Sequence, residues 1–168
     1  MFQEMKVSGL AMDPLTNTPI ILLKDLDERR ALPIWIGILE ASSIATQLEK
    51  VPLPRPMTHD LMQNIFNHLS VKIIKIEVTE LKDNTYYALI HLRNGGKTYQ
   101  IDSRPSDAIA MALRTNAPIY VDEEVIEKSS KFTIEKEVDK KKAPKSKEEP
   151  KWDEILENLL PEDFGKNS

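Results

Sequence analysis

Residues 71–114 read VKIIKIEVTELKDNTYYALIHLRNGGKTYQIDSRPSDAIAMALR. Apolar and polar residues alternate in VKIIKIEVTEL, NTYYALIHL and KTYQID. Side chains on a strand point to opposite faces in turn, so this period of two predicts three half-buried strands. Lys82-Asp83-Asn84 and Arg93-Asn94-Gly95-Gly96 supply the turns between them. Tight hairpins need positive φ, which Asn, Asp and Gly tolerate. The apolar spacing then changes. Pro105 has a fixed φ and no N–H, which suits the first position of a helix, and Ser103 or Arg104 is the boundary residue. Asp107 falls in the first turn, where a negative charge offsets the helix dipole. A helix over 105–114 follows.

The flanking sequence repeats this order. MKVSGLAM, PIILLKD and ALPIWIG read as strands, and EASSIATQLEK places Ala41, Ile44, Ala45 and Leu48 on one face of a helix over 40–50. VPLPRP is a break. THDLMQNIFNHL predicts a helix over 59–69, with Thr58 as its cap and Asp60 in its first turn. APIYV is a short strand and DEEVIEKSS a last short helix. A shift of 65 residues lays Ile36, Ile44, Ala45 and Leu48 on Ile101, Ile109, Ala110 and Leu113. Two unrelated amphipathic patterns would give the same four matches. The expected fold is α+β: a duplicated β-rich/α unit forming one mixed sheet with helices packed on it. Ile36, Ile44, Leu48, Ile65, Phe66, Ile101, Ile109 and Leu113 are the expected core.

A chain of 168 residues with 40% hydrophobic content accommodates one domain and a tail. The domain is expected over 1–135. Residues 136–151, KEVDKKKAPKSKEEPK, hold seven Lys, four acids and two Pro and read as a charged, flexible linker. Residues 152–165 contain Trp152, Ile155, Leu156, Leu159 and Leu160 at helical spacing. Such a short amphipathic helix must dock on the core, on a neighbouring subunit or on another protein. Together with the sheet edges, it leads us to expect a homo-oligomer, most simply a dimer. No apolar run is long enough to span a bilayer, and MFQEMKVSGL does not read as a signal peptide, so a cytoplasmic protein without membrane contact is expected. The absence of cysteine excludes thiolate chemistry. A net charge of −4 gives no global pull toward nucleic acid.

Three helix entrances concentrate polar residues. Glu40 follows Gly37; His59 and Asp60 follow Arg55; Asp102, Arg104 and Asp107 surround Pro105. Capping explains each singly. If the repeat is real, Glu40, Asp102 and Asp107 converge near Arg104. Clustered carboxylates repel unless an arginine or a divalent cation compensates them, and Mg²⁺ or Mn²⁺ suits oxygen donors. His59 can act as a base or ligand near neutral pH. His68 and His91 read as structural, and most of the scattered arginines, Arg114 included, as solvated.

PIWIGILEA, RPMTHDL and DSRPSDAIAMALR, in this order, resemble the bifunctional nuclease family of bacteria and plants, over about residues 5–130. The matching polar positions are Glu40, Arg55, Thr58, His59, Asp60, Asp102, Arg104, Ser106 and Asp107. The resemblance implies nuclease activity on DNA and RNA. Combined with the chemistry above, it gives a metal-assisted phosphodiesterase. Glu40, Asp102 and Asp107 would hold Mg²⁺ or Mn²⁺, His59 or Asp60 would activate water, and Arg104 would neutralise phosphate. The competing reading is a non-catalytic, oligomeric binding or regulatory module for an anionic ligand or a protein. A third is a salt-bridge network that only binds itself.

Overall fold

The computed structural model describes residues 1–130. The linker expected at 136–151, the helix at 152–165 and the domain end at 135 lie outside the described residues. β1 (Phe2–Asp13), β2 (Thr18–Asp25) and β3 (Ala31–Trp35) form an antiparallel meander that leads into α1 (Ile38–Leu48). β4 (Lys72–Lys82), β5 (Thr85–Asn94) and β6 (Lys97–Ser103) form a second meander that leads into α3 (Pro105–Thr115). Each half is thus three strands and a helix, as the shifted sequence predicts. α2 (Thr58–His68) lies between the halves in sequence. β7 (Ile119–Asp122) joins them, antiparallel to β1 and parallel to β4. The result is one mixed sheet of order β3-β2-β1-β7-β4-β5-β6, an α+β fold. Residues 123–130 are helical and form α4.

Local chemistry explains the elements. Asp83 and Asn84 both have positive φ, 48° and 60°, as a two-residue hairpin whose twist matches its strands requires. Gly95 and Gly96 do the same between β5 and β6. Arg104 is the N-cap of α3, with Pro105 at its first position. Thr58 is not the cap of α2: Met57 takes that position, and the Asp60 carboxylate accepts its backbone N–H at 3.0 Å.

The core lies between one face of the sheet and α1, α3 and α4. Ile21, Leu23, Leu32, Ile76, Val78 and Ala88 on the sheet meet Ile44, Ile109 and Val125. Tyr86 Oη on β5 stands 3.1 Å from the Pro33 carbonyl oxygen and 3.0 Å from Ser129 Oγ. One hydroxyl therefore ties strands far apart in sheet order to α4, which requires the sheet to curl around the core. Ile36, Ile44 and Ile109 are buried as expected, and Leu48, Phe66 and Leu113 are half-buried. Ile65 and Ile101 are not core residues: they are 45% and 47% exposed. α3 packs on β4 and β5, which leaves the edge strand β6 uncovered at Ile101. α2 packs on α3, and Ile65 stands on its open flank. Among the described residues no helix is long and apolar enough to cross a membrane.

Ile109→Ala should destabilise the protein by roughly 2–5 kcal/mol, because a buried cavity adds to the lost transfer energy. Ile65→Ala should cost less than about 1 kcal/mol. Urea unfolding of both variants checks this assignment of inside and outside; equal losses would contradict it.

Candidate functional site

The three helix entrances meet. α1 and α3 lie side by side, and the start of α2 crosses them. Glu40 sits in the first turn of α1, and its side chain folds back over Gly37. A Cβ at position 37 would collide with Glu40 Oε2, so the glycine supplies room rather than an unusual φ. From the start of α3, Arg104 Nη1 donates to Glu40 Oε1 at 2.7 Å. Its Nε donates to Asp107 Oδ2 at 2.8 Å, and its Nη2 to Asp107 Oδ1 at 3.2 Å. Arg104 is thereby forked onto one carboxylate and tethered to another while 65% of its side chain stays exposed.

The chain of contacts continues inward. His59 Nε2 lies 3.0 Å from Asp107 Oδ1, and His59 Nδ1 lies 2.7 Å from Ser43 Oγ. A carboxylate only accepts, so Nε2 donates to Asp107, and Nδ1 shares its hydrogen bond with the Ser43 hydroxyl. Both ring nitrogens are engaged and the side chain is 11% exposed. His59 is built to hold Asp107 in place. Ser43 is buried within α1, out of reach of a substrate.

A second cluster lies one residue along α2. Arg114 is buried, with its side chain 2% exposed. Its Nε donates to Asp60 Oδ1 at 2.7 Å, Nη1 to the Ala110 carbonyl at 3.1 Å and Nη2 to the Ser43 carbonyl at 3.2 Å. Gln63 Nε2 donates to the Arg114 carbonyl at 2.8 Å. Asp60 and Arg114 form one wall of a cleft of about 310 Å³ that Gln47, Pro54, Arg55 and Asn64 also line.

The structure therefore gathers Glu40, Arg104, Asp107 and His59, and places Asp60 in the adjoining cluster. Asp102 is elsewhere. It pairs with Leu89, one step from the Ser103–Ala88 pair. Ala88 faces the core, so Asp102 stands on the opposite face of the sheet. The three carboxylates expected to form a metal shell do not share one. The guanidinium occupies the space between Glu40 and Asp107, and among the described residues no group of three His, Asp or Glu side chains is arranged to hold a metal ion. Sequence reading missed Ser43 and Arg114. Ser43 does stand one helical turn after Glu40, on the same side of α1. Arg114 stands seven residues after Asp107, two turns along α3, and was expected in solvent.

Electrostatics follow the geometry. Partial burial raises the Asp107 carboxyl, but hydrogen bonds from Arg104 and His59 outweigh it and hold the pKa below the ordinary 3.8. For Asp60 burial is again the largest single effect and raises the pKa. The Arg114 hydrogen bond and the Met57 N–H outweigh it, and the group ends low. Bonds to Asp107 and then Glu40 raise Arg104 still higher above neutrality.

Comparison with known proteins places these residues in context. The family model described as the bifunctional nuclease domain matches residues 21–133. An uncharacterized protein of Mycobacterium tuberculosis (strain H37Rv) is 37% identical over 164 residues, 96% of this chain and 97% of that protein. Bifunctional nuclease 1 of Arabidopsis thaliana is 28% identical over 61% of this chain and 33% of its own length. Bifunctional nuclease 1 of Oryza sativa subsp. japonica is 24% identical over 67% of this chain and 35% of its own length.

Two outcomes test the geometry. The lowered Asp107 pKa means that its contribution to stability is complete above the unfolded value of 3.8 and is lost as pH falls through the lower folded value. The stability gap between wild type and Asp107→Asn, followed by urea unfolding, should therefore be constant above about pH 5 and close below pH 3.8. A gap that widens on acidification would contradict the assignment. Gly37→Ala should displace the flexible end of Glu40 with little loss of stability. The Arg104 Nε–H resonance should then shift in NMR spectra while the melting temperature holds.

Proposed function

The chain belongs to the bifunctional nuclease domain family, and from that premise we propose that it hydrolyses phosphodiester bonds of DNA or RNA at the cluster around Arg104. The observation that carries this reading is the exposed guanidinium clamped by Asp107 and Glu40. An arginine has five N–H bonds, and three are spent on the two carboxylates. The remaining two, one on each terminal nitrogen, form a fork suited to two phosphate oxygens. Clamping fixes the fork in advance, so little side-chain entropy is lost when phosphate arrives. As the attacking water bonds to phosphorus and the ester oxygen leaves, charge on the phosphate oxygens is met by these N–H groups. Asp107, ionised at neutral pH, orients that water and takes its proton as the O–P bond forms, and the departing ester oxygen takes a proton from bulk water. His59 and Ser43 hold Asp107 in position.

The residues do not fit the divalent shell expected from the sequence, because Asp102 faces away and Arg104 fills the gap between the other two carboxylates. Mg²⁺ or Mn²⁺ would have to displace the guanidinium from Glu40 and Asp107, and no step is assigned to it. A second reading rests on charge. One guanidinium between two carboxylates leaves these three side chains at net −1, which disfavours phosphate. This supports a binding or regulatory module whose cluster stiffens the surface.

One assay separates the two. The protein is incubated with single- and double-stranded DNA and RNA, with and without Mg²⁺ or Mn²⁺. The nuclease reading expects cleavage that falls roughly 10–100-fold in Arg104→Lys, since an ammonium cannot reproduce the fork. Wild-type protein that leaves all four substrates intact under every condition would defeat it and leave the binding module.

A further inference from the structure

We propose that the free edge of β6 pairs with β6 of a second copy of this chain, antiparallel, about a two-fold axis through Gln100. Among the described residues β6 is the last strand of the sheet and pairs only with β5. Its seven residues, KTYQIDS, contain no proline, so an outer row of backbone donors and acceptors is left open. The other outermost strand, β3, is shorter and carries Pro33, which blunts it. Of the two outer strands described, β6 is the one suited to extension.

The side chains say what extends it. Tyr99 and Ile101 pair with Leu92 and Ile90 of β5 and so share the face that carries the core. They are nevertheless each 47% exposed, because α3 covers β4 and β5 and stops short of β6. On α2, Leu61, Ile65 and Leu69 form a further exposed stripe at four-residue spacing. Asp60 and Asn64, one position earlier on each turn, line the cleft beside the end of α1. A solvated edge strand with two large apolar residues is a surface waiting for cover.

Self-pairing supplies that cover. With Gln100 opposite Gln100 of the partner subunit, Ile101 stands opposite the partner's Tyr99, and the reciprocal pair forms across the axis. Both pairs lie on the helix-bearing face, and cross-strand pairs of this type stabilise a sheet. A one-residue slip would set apolar residues of one copy against the polar face of the other. A two-residue slip sets Ile101 against the partner's Lys97. The Gln100-centred register alone matches both apolar residues.

The same register bears on the site, a step that rests on the phosphodiester reading. Lys97 makes no ion pair among the described residues. Opposite Ser103, the partner's Lys97 comes next to Arg104. It brings one positive charge to a cluster that is net −1 in a single chain. Two-fold symmetry supplies both sites at once.

The test uses the full chain, whose lack of cysteine makes a single introduced thiol unambiguous. Opposed Cβ atoms in an antiparallel pair are roughly 4.5–5.5 Å apart, close to what a disulfide spans after a small adjustment. Gln100→Cys should oxidise to a covalent dimer, and Glu80→Cys, exposed on β4, should not. Wild type should sediment at twice the 19.2 kDa of one chain. The double variant Tyr99→Lys, Ile101→Lys should sediment as one chain with its circular dichroism melt retained, since both positions are already half exposed. A wild-type monomer overturns the proposal, as does a dimer unaffected by the two lysines or equal cross-linking at positions 80 and 100. If wild type cleaves nucleic acid, Lys97→Ala should lower cleavage about 10-fold at unchanged sedimentation; full activity would remove the Lys97 step. If wild type does not cleave, sedimentation and cross-linking still decide the dimer, so the two readings fail separately.

Discussion

A buried guanidinium organises this molecule. Arg114 has almost no contact with water, and a charge in that position is strongly destabilising unless it is paired and fully hydrogen-bonded. Its partners come from three helices: the Asp60 carboxylate of α2, the Ser43 carbonyl of α1 and the Ala110 carbonyl of α3. Satisfying one side chain thus fixes where α2 starts relative to the α1–α3 pair. His59 precedes Asp60 on the same turn, so its ring is aimed at Ser43 and Asp107. Asp107 in turn aims Arg104. The orientation of the exposed cation is set by the pairing of the buried one.

This arrangement makes the entrances one unit rather than three caps. A single acid in the first turn of a helix stabilises it by about 0.3–1 kcal/mol. Here the same acids also bridge between helices. Asp60 caps α2 through the Met57 N–H and pairs with Arg114. Asp107 occupies the first turn of α3 and holds both His59 and Arg104. A buried carboxylate on the sheet shows a simpler solution. Glu77, on β4, accepts from Lys75 and from His91 at 2.6 Å, all within adjacent strands. That trio joins only two neighbouring strands already paired by their backbones.

The strands, the turns and the start of α3 were legible because they follow from local rules; α1 begins at Ile38, two residues before the expected 40, and Met57 caps α2 where Thr58 was expected. Alternation gave β4, β5 and β6; Asp83-Asn84 and Gly95-Gly96 gave the hairpins; Pro105 and Asp107 gave the start of α3. The convergence of Glu40 with Asp107 and Arg104 followed from treating the halves as equivalent. What local rules cannot supply is which flank of a helix is covered. Ile65 and Ile101 fit an apolar pattern but lie where no second layer reaches. Arg114 looked like a solvated helix end and is buried because α2 closes over it. Asp102 was grouped with its neighbours in sequence, yet one step along a strand reverses the face. Ser43 was hidden among the small residues that let α1 approach α3.

The position of β7 also determines the order in which the protein can be made. Each meander consists of contacts between neighbours in sequence and can form as soon as its own strands have left the ribosome. β1, at the very start of the chain, acquires its second neighbour only from residues 119–122. Until then its inner edge, and that of β4, are unpaired, and no backbone ladder joins the two half-sheets. Closing the sheet across more than a hundred residues brings a large loop-closure entropy and a slow final step. During synthesis the nascent chain therefore exposes two sticky strand edges, and the central strand that covers both arrives last of the seven described strands.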